Sequence, residues 1–324
     1  MLCLGIEGTA HTFGVGICDD DQILANVMDM YRPEEGGIHP REASNHHAAI
    51  AADMLVKALD KAGASMSDLD VVAFSQGPGL GPCLRTAATA ARTISLSQNI
   101  PLVGVNHCIA HLEIGRLTTQ AEDPIMLYVS GGNTQVIAYT MGRYRIFGET
   151  LDIGIGNMLD KFGRESGLPF PAGPVIEKMA VKSNRLLDLP YSVKGMDVSF
   201  SGILTAALQQ VKEQPMEDLC NTLQETCFAM LVEVSERAMA HADKSELVLG
   251  GGVARNKRLQ EMCGIMAEER GGASYMPPPD LCVDNGAMIA YTGFIMNKAG
   301  ISIPVEDSAV NQRFRTDQVE VTWR

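Results

Sequence analysis

The sequence predicts an α/β protein of two similar halves. Three observations predict it. Each half opens with three short apolar segments separated by tight turns, each continues as alternating helical and strand-like patterns, and glycine-containing turns punctuate both. A chain of 324 residues can hold two domains of ordinary size, and 46% hydrophobic with 20% charged residues is a globular composition.

The first half opens with strands at Leu2 to Ile6, Phe13 to Cys18 and Ile23 to Met30, the last two separated by the acidic turn Asp19-Asp20-Asp21. Helical spacing covers Arg41 to Ala62, and Val71 to Ser75 reads as a buried strand. The loop from Gln76 to Pro82 leads into a helix over Cys83 to Leu96. Pro101 to Val105 is another buried strand, and a helix starting near Asn106 carries His107 and His111. After the polar stretch from Thr118 to Pro124 the plan restarts. Strands are predicted at Ile125 to Ser130, Thr134 to Tyr139 and Arg145 to Thr150, with Gly131-Gly132-Asn133 as the first turn. Helices follow, the longest over Glu217 to Ala242. Then come a buried strand at Glu246 to Leu249, the run Gly250-Gly251-Gly252, a helix, and a last helix over Asn285 to Asn297. The expected domains are residues 1–121 and 122–298, with a terminal helix over about 299–324 returning to the first. Two such halves would place a ligand in a crevice at their strand ends.

Composition narrows the function classes. The N-terminus has no basic segment ahead of its apolar residues, so it reads as a strand and not a signal peptide. No apolar run approaches the ~18 residues of a membrane span, which leads to the expectation of a cytoplasmic chain without membrane contact. The eight cysteines form no Cys-x-x-Cys pair and read as buried free thiols of a reducing compartment. A net charge of −13 gives no general attraction for nucleic acid, so any nucleic-acid substrate needs a local basic patch or a basic partner.

Three glycine turns carry the first chemical signal: Glu7-Gly8-Thr9-Ala10-His11-Thr12, Ser130-Gly131-Gly132-Asn133-Thr134-Gln135 and Gly250-Gly251-Gly252-Val253-Ala254-Arg255-Asn256. Glycine lets backbone N–H groups approach phosphate oxygens, although a hairpin also uses glycine for structure alone. The first two turns join strands one and two of each half, and the third ends a strand and starts a helix. That is the layout of the actin-like ATPase and sugar-kinase superfamily, and it favours an adenylate ligand. No Gly-Lys-Ser or Gly-Lys-Thr follows, and Gly77, Gly79 and Gly81 have the wrong spacing for a dinucleotide fingerprint.

His107 and His111 stand four apart, on one face of a helix, where they can share a metal. The pair is not His-Glu-x-x-His, so it brings no built-in base. Tyr128 and Asp284 are candidate further ligands. Two histidines and a carboxylate with open positions suit iron or zinc.

With these motifs the chain resembles the universal family that forms threonylcarbamoyladenosine in tRNA, in its archaeal and eukaryotic form, the catalytic subunit of the KEOPS complex. The stretches that carry the resemblance run from Gly5 to Gly14, Ser75 to Gly79, Asn106 to His111, Tyr128 to Thr134, Asn157 to Arg164, Ser199 to Gly202 and Gly250 to Asn256. It spans the whole chain, and no fused kinase domain is expected behind it.

The resemblance implies the actin-like fold, metal ligands His107, His111, Tyr128 and Asp284, and nucleotide contacts from Tyr128, Val129, Ser130, Gly131, Gly132, Asp160, Gly173, Glu177 and Asn256. Asp160 and Glu177 would accept from ribose hydroxyls and Asn256 would read a base edge; Lys161 and Arg164 would meet phosphate or face solvent. One divalent metal per subunit is implied, iron ahead of zinc. The implied nucleotide is the threonylcarbamoyl-adenylate donor, with ATP able to occupy the site and Mg accompanying it. The implied partners are tRNA, a small Bud-type kinase and Cgi-type and Pcc-type accessory subunits. No residue is assigned as general base, with His39 and His11 the histidines in polar loops. Arg255, Lys257 and Arg258 are the local basic residues that could help hold tRNA. Two rivals remain at this stage, a metallopeptidase, as an older family name suggests, and a non-catalytic ATP-binding switch.

Overall fold

The structure, a computed structural model, describes residues 1–20, 22–33 and 37–324, so Asp21 of the acidic turn lies outside the described residues. The chain divides into two compact units. The first holds residues 1–117, 141–144 and 283–324, the second 118–140 and 145–282.

In the first unit, β1 (Leu2–Glu7), β2 (Thr12–Asp19) and β3 (Gln22–Met30) form an antiparallel meander. Helix α1 (Pro40–Ala62), β4 (Val71–Gly77), α2 (Gly81–Gln98) and β5 (Leu102–Asn106) follow, with β4 and β5 added in parallel to give the order β3-β2-β1-β4-β5. Helix α3 (His107–Thr118) starts directly at the end of β5.

The second unit repeats the plan. Its elements are β6 (Ile125–Val129), β7 (Thr134–Thr140), β8 (Arg143–Glu149), α4 (Ile155–Glu165), α5 (Ala172–Ala180), the short pair β9 (Val193–Lys194) and β10 (Asp197–Val198), α6 (Ser201–Gln210), α7 (Met216–Ala242), β11 (Glu246–Gly250), α8 (Lys257–Glu269), β12 (Ala273–Tyr275) and α9 (Pro279–Cys282). The main sheet has the order β12-β11-β6-β7-β8, the same arrangement as in the first unit, and β11 and β12 join in parallel. The repeat read from the sequence is therefore a repeat of topology.

The last helix, α10 (Gly286–Lys298), belongs to the first unit and packs on β1, β2 and β4, not to the second half where the sequence placed it. Strand alternation explains this packing. Leu4, Ile6, Phe13, Val15 and Ile17 pack in one core with residues of α1 and α2, while the glycines on the opposite face leave room for α10. A Cβ at Gly5 would lie 2.0 Å from the Ala290 N, and one at Gly16 would lie 2.2 Å from the Ala287 N. One at Gly286 would lie 2.2 Å from the Gly16 N. Backbone thus lies directly on backbone, which only glycine permits.

The expected helix over 299–324 does not form. The segment carries two single 3-10 turns, at Val305–Asp307 and Thr316–Gln318. Pro304 lacks an N–H, and backbone groups here bond to other segments: the Ile303 N donates to the Leu102 O at 2.8 Å and the Asn311 N to the Gln76 O at 2.8 Å.

Candidate metal centre

Helix α3 is buried from His107 to Gly115. Its N-terminus is capped from the preceding strand, as the Asn106 Oδ1 accepts from the backbone N–H of Cys108 at 3.0 Å and of Ile109 at 3.3 Å. The four-residue spacing brings the rings of His107 and His111 to a centroid separation of 4.8 Å, edge to face. Both Nε2 atoms face one carboxylate oxygen, the Asp284 Oδ1, at 3.4 Å from His107 and 3.2 Å from His111. The three donor atoms lie within 4.8 Å of one another.

Asp284 stands two residues before α10 and is 16% exposed, whereas His107 and His111 are 3% and 1% exposed. Burial works to raise the Asp284 carboxyl, but the two imidazoles outweigh it and hold it well below the usual carboxylate range. Burial pushes His111 down, against its hydrogen bond to the Asp284 carboxylate, toward the neutral imidazole that ligates metals.

Sequence reasoning missed Glu7 as part of this centre. Its carboxylate is wholly buried at the end of β1, and its Oε2 lies 3.0 Å from the His107 Nδ1. The other oxygen accepts from the Thr9 backbone N–H at 2.7 Å and from the Thr9 hydroxyl. A carboxylate beside Nδ1 fixes the proton there and leaves the Nε2 lone pair for a metal. The signal was an acid ending an apolar strand against a glycine turn. Two imidazoles and a carboxylate converging on one point, one imidazole oriented from behind, fit a divalent transition metal with open positions.

The remaining predicted site residues belong to the second unit. Tyr128 is fully buried in β6. In the turn after it, the Ser130 N donates to the Asn133 O at 2.8 Å, and the carbonyls of Ser130 and Gly131 accept from the Gly156 and Asn157 N–H groups at the start of α4. Gly131 and Gly132 are exposed, and no hydrogen bond among the described residues takes up their own N–H groups. A Cβ on Gly132 would meet nothing within 4 Å, so packing does not demand glycine there. The Asp160 Oδ1 accepts from the Ala172 N–H at the start of α5 at 2.8 Å, next to Gly173. One turn on, the Glu177 Oε1 accepts from the Lys257 N–H at 2.8 Å at the start of α8. Asn256 caps that helix through its Oδ1, and its Nδ2 donates to the Gln224 Oε1 at 2.9 Å. Asp160, Gly173, Glu177 and Asn256 are thus linked through the starts of α5 and α8. In the third turn Gly251 has φ +93, and a Cβ there would lie 2.3 Å from the Val129 O.

The basic residues expected to help hold tRNA are partly engaged elsewhere. Arg258 is held by Glu225 through two hydrogen bonds of 2.8 Å and by Glu261 at 2.8 Å. Lys161, expected to meet phosphate or face solvent, pairs with Glu165 at 3.9 Å. His39 is exposed at the start of α1, and His11 is half-buried in the first turn. All eight cysteines are buried, and burial pushes the thiols of Cys83 and Cys108 up to about 11.

Among solved structures, HypF of T. kodakarensis superposes with a TM-score of 0.68 at 12% identity, over 92% of this chain and 48% of that one. The nucleotide-bound activator of 2-hydroxyisocaproyl-CoA dehydratase from Clostridium difficile gives 0.55 at 13% identity, over 93% and 97%. Two α/β units on one strand plan, with a His–His–Asp cluster at the end of the first sheet, define a protein of the actin-like ATPase fold with three residues able to hold a metal ion. Residues 22–291 match the profile of TsaD, tRNA N6-adenosine threonylcarbamoyltransferase. A tRNA N6-adenosine threonylcarbamoyltransferase of Thermococcus kodakarensis is 58% identical over the full length of both chains. A probable bifunctional tRNA threonylcarbamoyladenosine biosynthesis protein of Methanosarcina mazei is 58% identical over 99% of this chain and 59% of its own. The chain belongs to the TsaD family of tRNA N6-adenosine threonylcarbamoyltransferases. Among the described residues no helix is long and apolar enough to cross a membrane.

Proposed function

We propose that this chain transfers threonylcarbamoyl from threonylcarbamoyl-adenylate to the N6 amine of the adenosine next to the anticodon, in tRNAs that read codons beginning with A. The amine nitrogen attacks the carbamoyl carbonyl carbon. The new C–N bond forms, the C–O bond to the phosphate breaks, AMP leaves with the electron pair, and the amine gives up a proton. The observation that carries the reading is the convergence of His107, His111 and Asp284 in a chain that matches this family along its length.

His107, His111 and Asp284 would hold the divalent metal, iron ahead of zinc, with Tyr128 the ligand that the family pattern adds. When bound, it would supply Lewis-acid polarisation of the carbamoyl carbonyl. Glu7 orients His107 for that role. The exposed Gly131 and Gly132 N–H groups would bind phosphate oxygens of the donor and stabilise the departing AMP. Val129 and Ser130 set that turn, and Asp160, Gly173, Glu177 and Asn256 are the proposed contacts to the rest of the nucleotide. ATP, with Mg, would occupy the same place. Adenine N6 is a poor nucleophile because its lone pair is delocalised into the ring, so positioning and activation of the carbonyl dominate.

With a net charge of −13 and Arg258 tied to two acids, much of the affinity for tRNA would come from basic KEOPS-type partners, a Bud-type kinase and Cgi-type and Pcc-type subunits, in the cytoplasm. The test is transfer from purified threonylcarbamoyl-adenylate to transcribed tRNA. Chelation or His107→Ala with His111→Ala should abolish it, and undiminished transfer would refute the metal role.

A further inference from the structure

The last segment of the chain bonds to β5, then to α2 and β4, and ends along α3. Ile303 bonds to Leu102, and further on the Asn106 Nδ2 donates to the Phe314 O at 3.0 Å. Thr316 meets the Cys108 thiol, and the Trp323 Nε1 donates to the Glu113 Oε1 at 2.8 Å. From Phe314 to Trp323 the partners advance together, Asn106, Cys108 and Glu113 in turn, so this final stretch runs alongside the element that bears both imidazoles.

Glu113 is where this path ends. Its carboxylate is wholly buried and accepts from the Trp323 indole, the Tyr144 hydroxyl and the Arg116 guanidinium at 2.7 Å. A buried carboxylate is costly unless such donors surround it. These donors therefore define where Glu113 can sit, and with it the rotation of α3 about its axis. His107 is already fixed by Glu7 and by the Asn106 cap. His111 lies between that fixed end and Glu113. A rotation of about 10° would move an imidazole nitrogen by roughly 1 Å, more than the ~0.5 Å a preorganised site tolerates.

We infer that the terminal segment is a strap for the metal centre, with Glu113 as a positioning residue and Trp323 as its latch, setting the angle at which His111 meets Asp284. This rests on the metal reading above. It assigns a role to a tryptophan whose indole N–H is given to Glu113.

The experiment uses the full chain stripped of metal, with Co2+ alone as probe. Affinity is measured by chelator competition and geometry by the Co2+ d–d absorption band, with thermal melting of each metal-free variant alongside. Trp323→Phe keeps the ring and removes the N–H; Tyr144→Phe removes one hydroxyl. The double variant should bind Co2+ about tenfold more weakly, at the lower end of what loss of an orienting partner costs. It should also shift the d–d band, and Trp323→Phe alone should do both to a smaller extent. A double variant that melts lower but keeps its Co2+ affinity within about twofold and its band unchanged would show Glu113 to be structural only, and the strap would fall. If the parent chain takes up no Co2+, the metal reading fails and the strap with it; if the parent binds and His107→Ala with His111→Ala does not, only the strap is on trial.

Discussion

The turns after β1 and β6 occupy equivalent places in the two units, yet they do opposite things. In the first, the Gly8 N–H donates to the Ser75 hydroxyl at 3.0 Å and the Thr9 N–H to Glu7, so its glycine and the residue after it are engaged. It supports an internal carboxylate that orients His107. In the second, the N–H groups of Gly131 and Gly132 have no partner among the described residues and the turn is exposed. One topology thus yields a turn that braces the carboxylate behind His107 and a turn whose two glycines stand exposed. The difference lies in the side chains: Ser75 and Glu7 take the N–H groups of Gly8 and Thr9, whereas the Ser130 hydroxyl takes that of Asn133 and leaves those of the two glycines.

The comparison can be broken at several places. The largest effect is expected at the cation site, where His107→Ala with His111→Ala should lower transfer by at least about a hundredfold and remove bound metal, read by activity and metal analysis. Next, Glu7→Gln should weaken metal binding by about tenfold through loss of orientation, read by chelator competition. The turns themselves should then respond in opposite ways. Gly8→Ala places a Cβ 2.9 Å from the Ala87 Cβ and should cost roughly 1–3 kcal/mol in denaturant unfolding. Gly132→Ala has open space around it and should leave stability within about 0.5 kcal/mol, while weakening adenine-nucleotide binding in calorimetry. If both behave alike, the proposed division of labour is wrong.

The smallest effect concerns His47, buried on α1, whose Nε2 donates to the Ala10 O at 2.9 Å and so reaches the first turn. Burial lowers its pKa despite that hydrogen bond. The unfolded chain therefore takes up a proton at a pH where the folded chain refuses it. Stability from this group is present above the ordinary histidine value and is lost as pH falls from there toward the lowered folded value. Melting temperatures of metal-free protein should fall over that window, less steeply in His47→Gln.

Much of this was legible in the sequence. Apolar runs and turns gave both strand meanders, and the spacing of His107 and His111 gave their shared face. Asp284 was found only as a candidate because no local pattern ties residue 284 to residue 107; the contact is made by seating α10 on β1 and β2. Glu7 stood in the sequence only as the first residue of a glycine turn, since only the fold shows it buried against His107. The helix expected over 299–324 failed because no 3.6-residue pattern supported it and its polar backbone found partners on neighbouring segments instead.

The glycines between α10 and the first sheet carry a consequence for Asp284. Because the helix start rests on bare main chain at Gly16, the carboxylate two positions upstream of it is located by the absence of methyl groups. A single alanine at Gly16 or Gly286 would lift the helix from its seat. The separation between the acid and the two imidazoles is thus written in residues that own no side chain, and a search for functional positions by chemical type would pass over them.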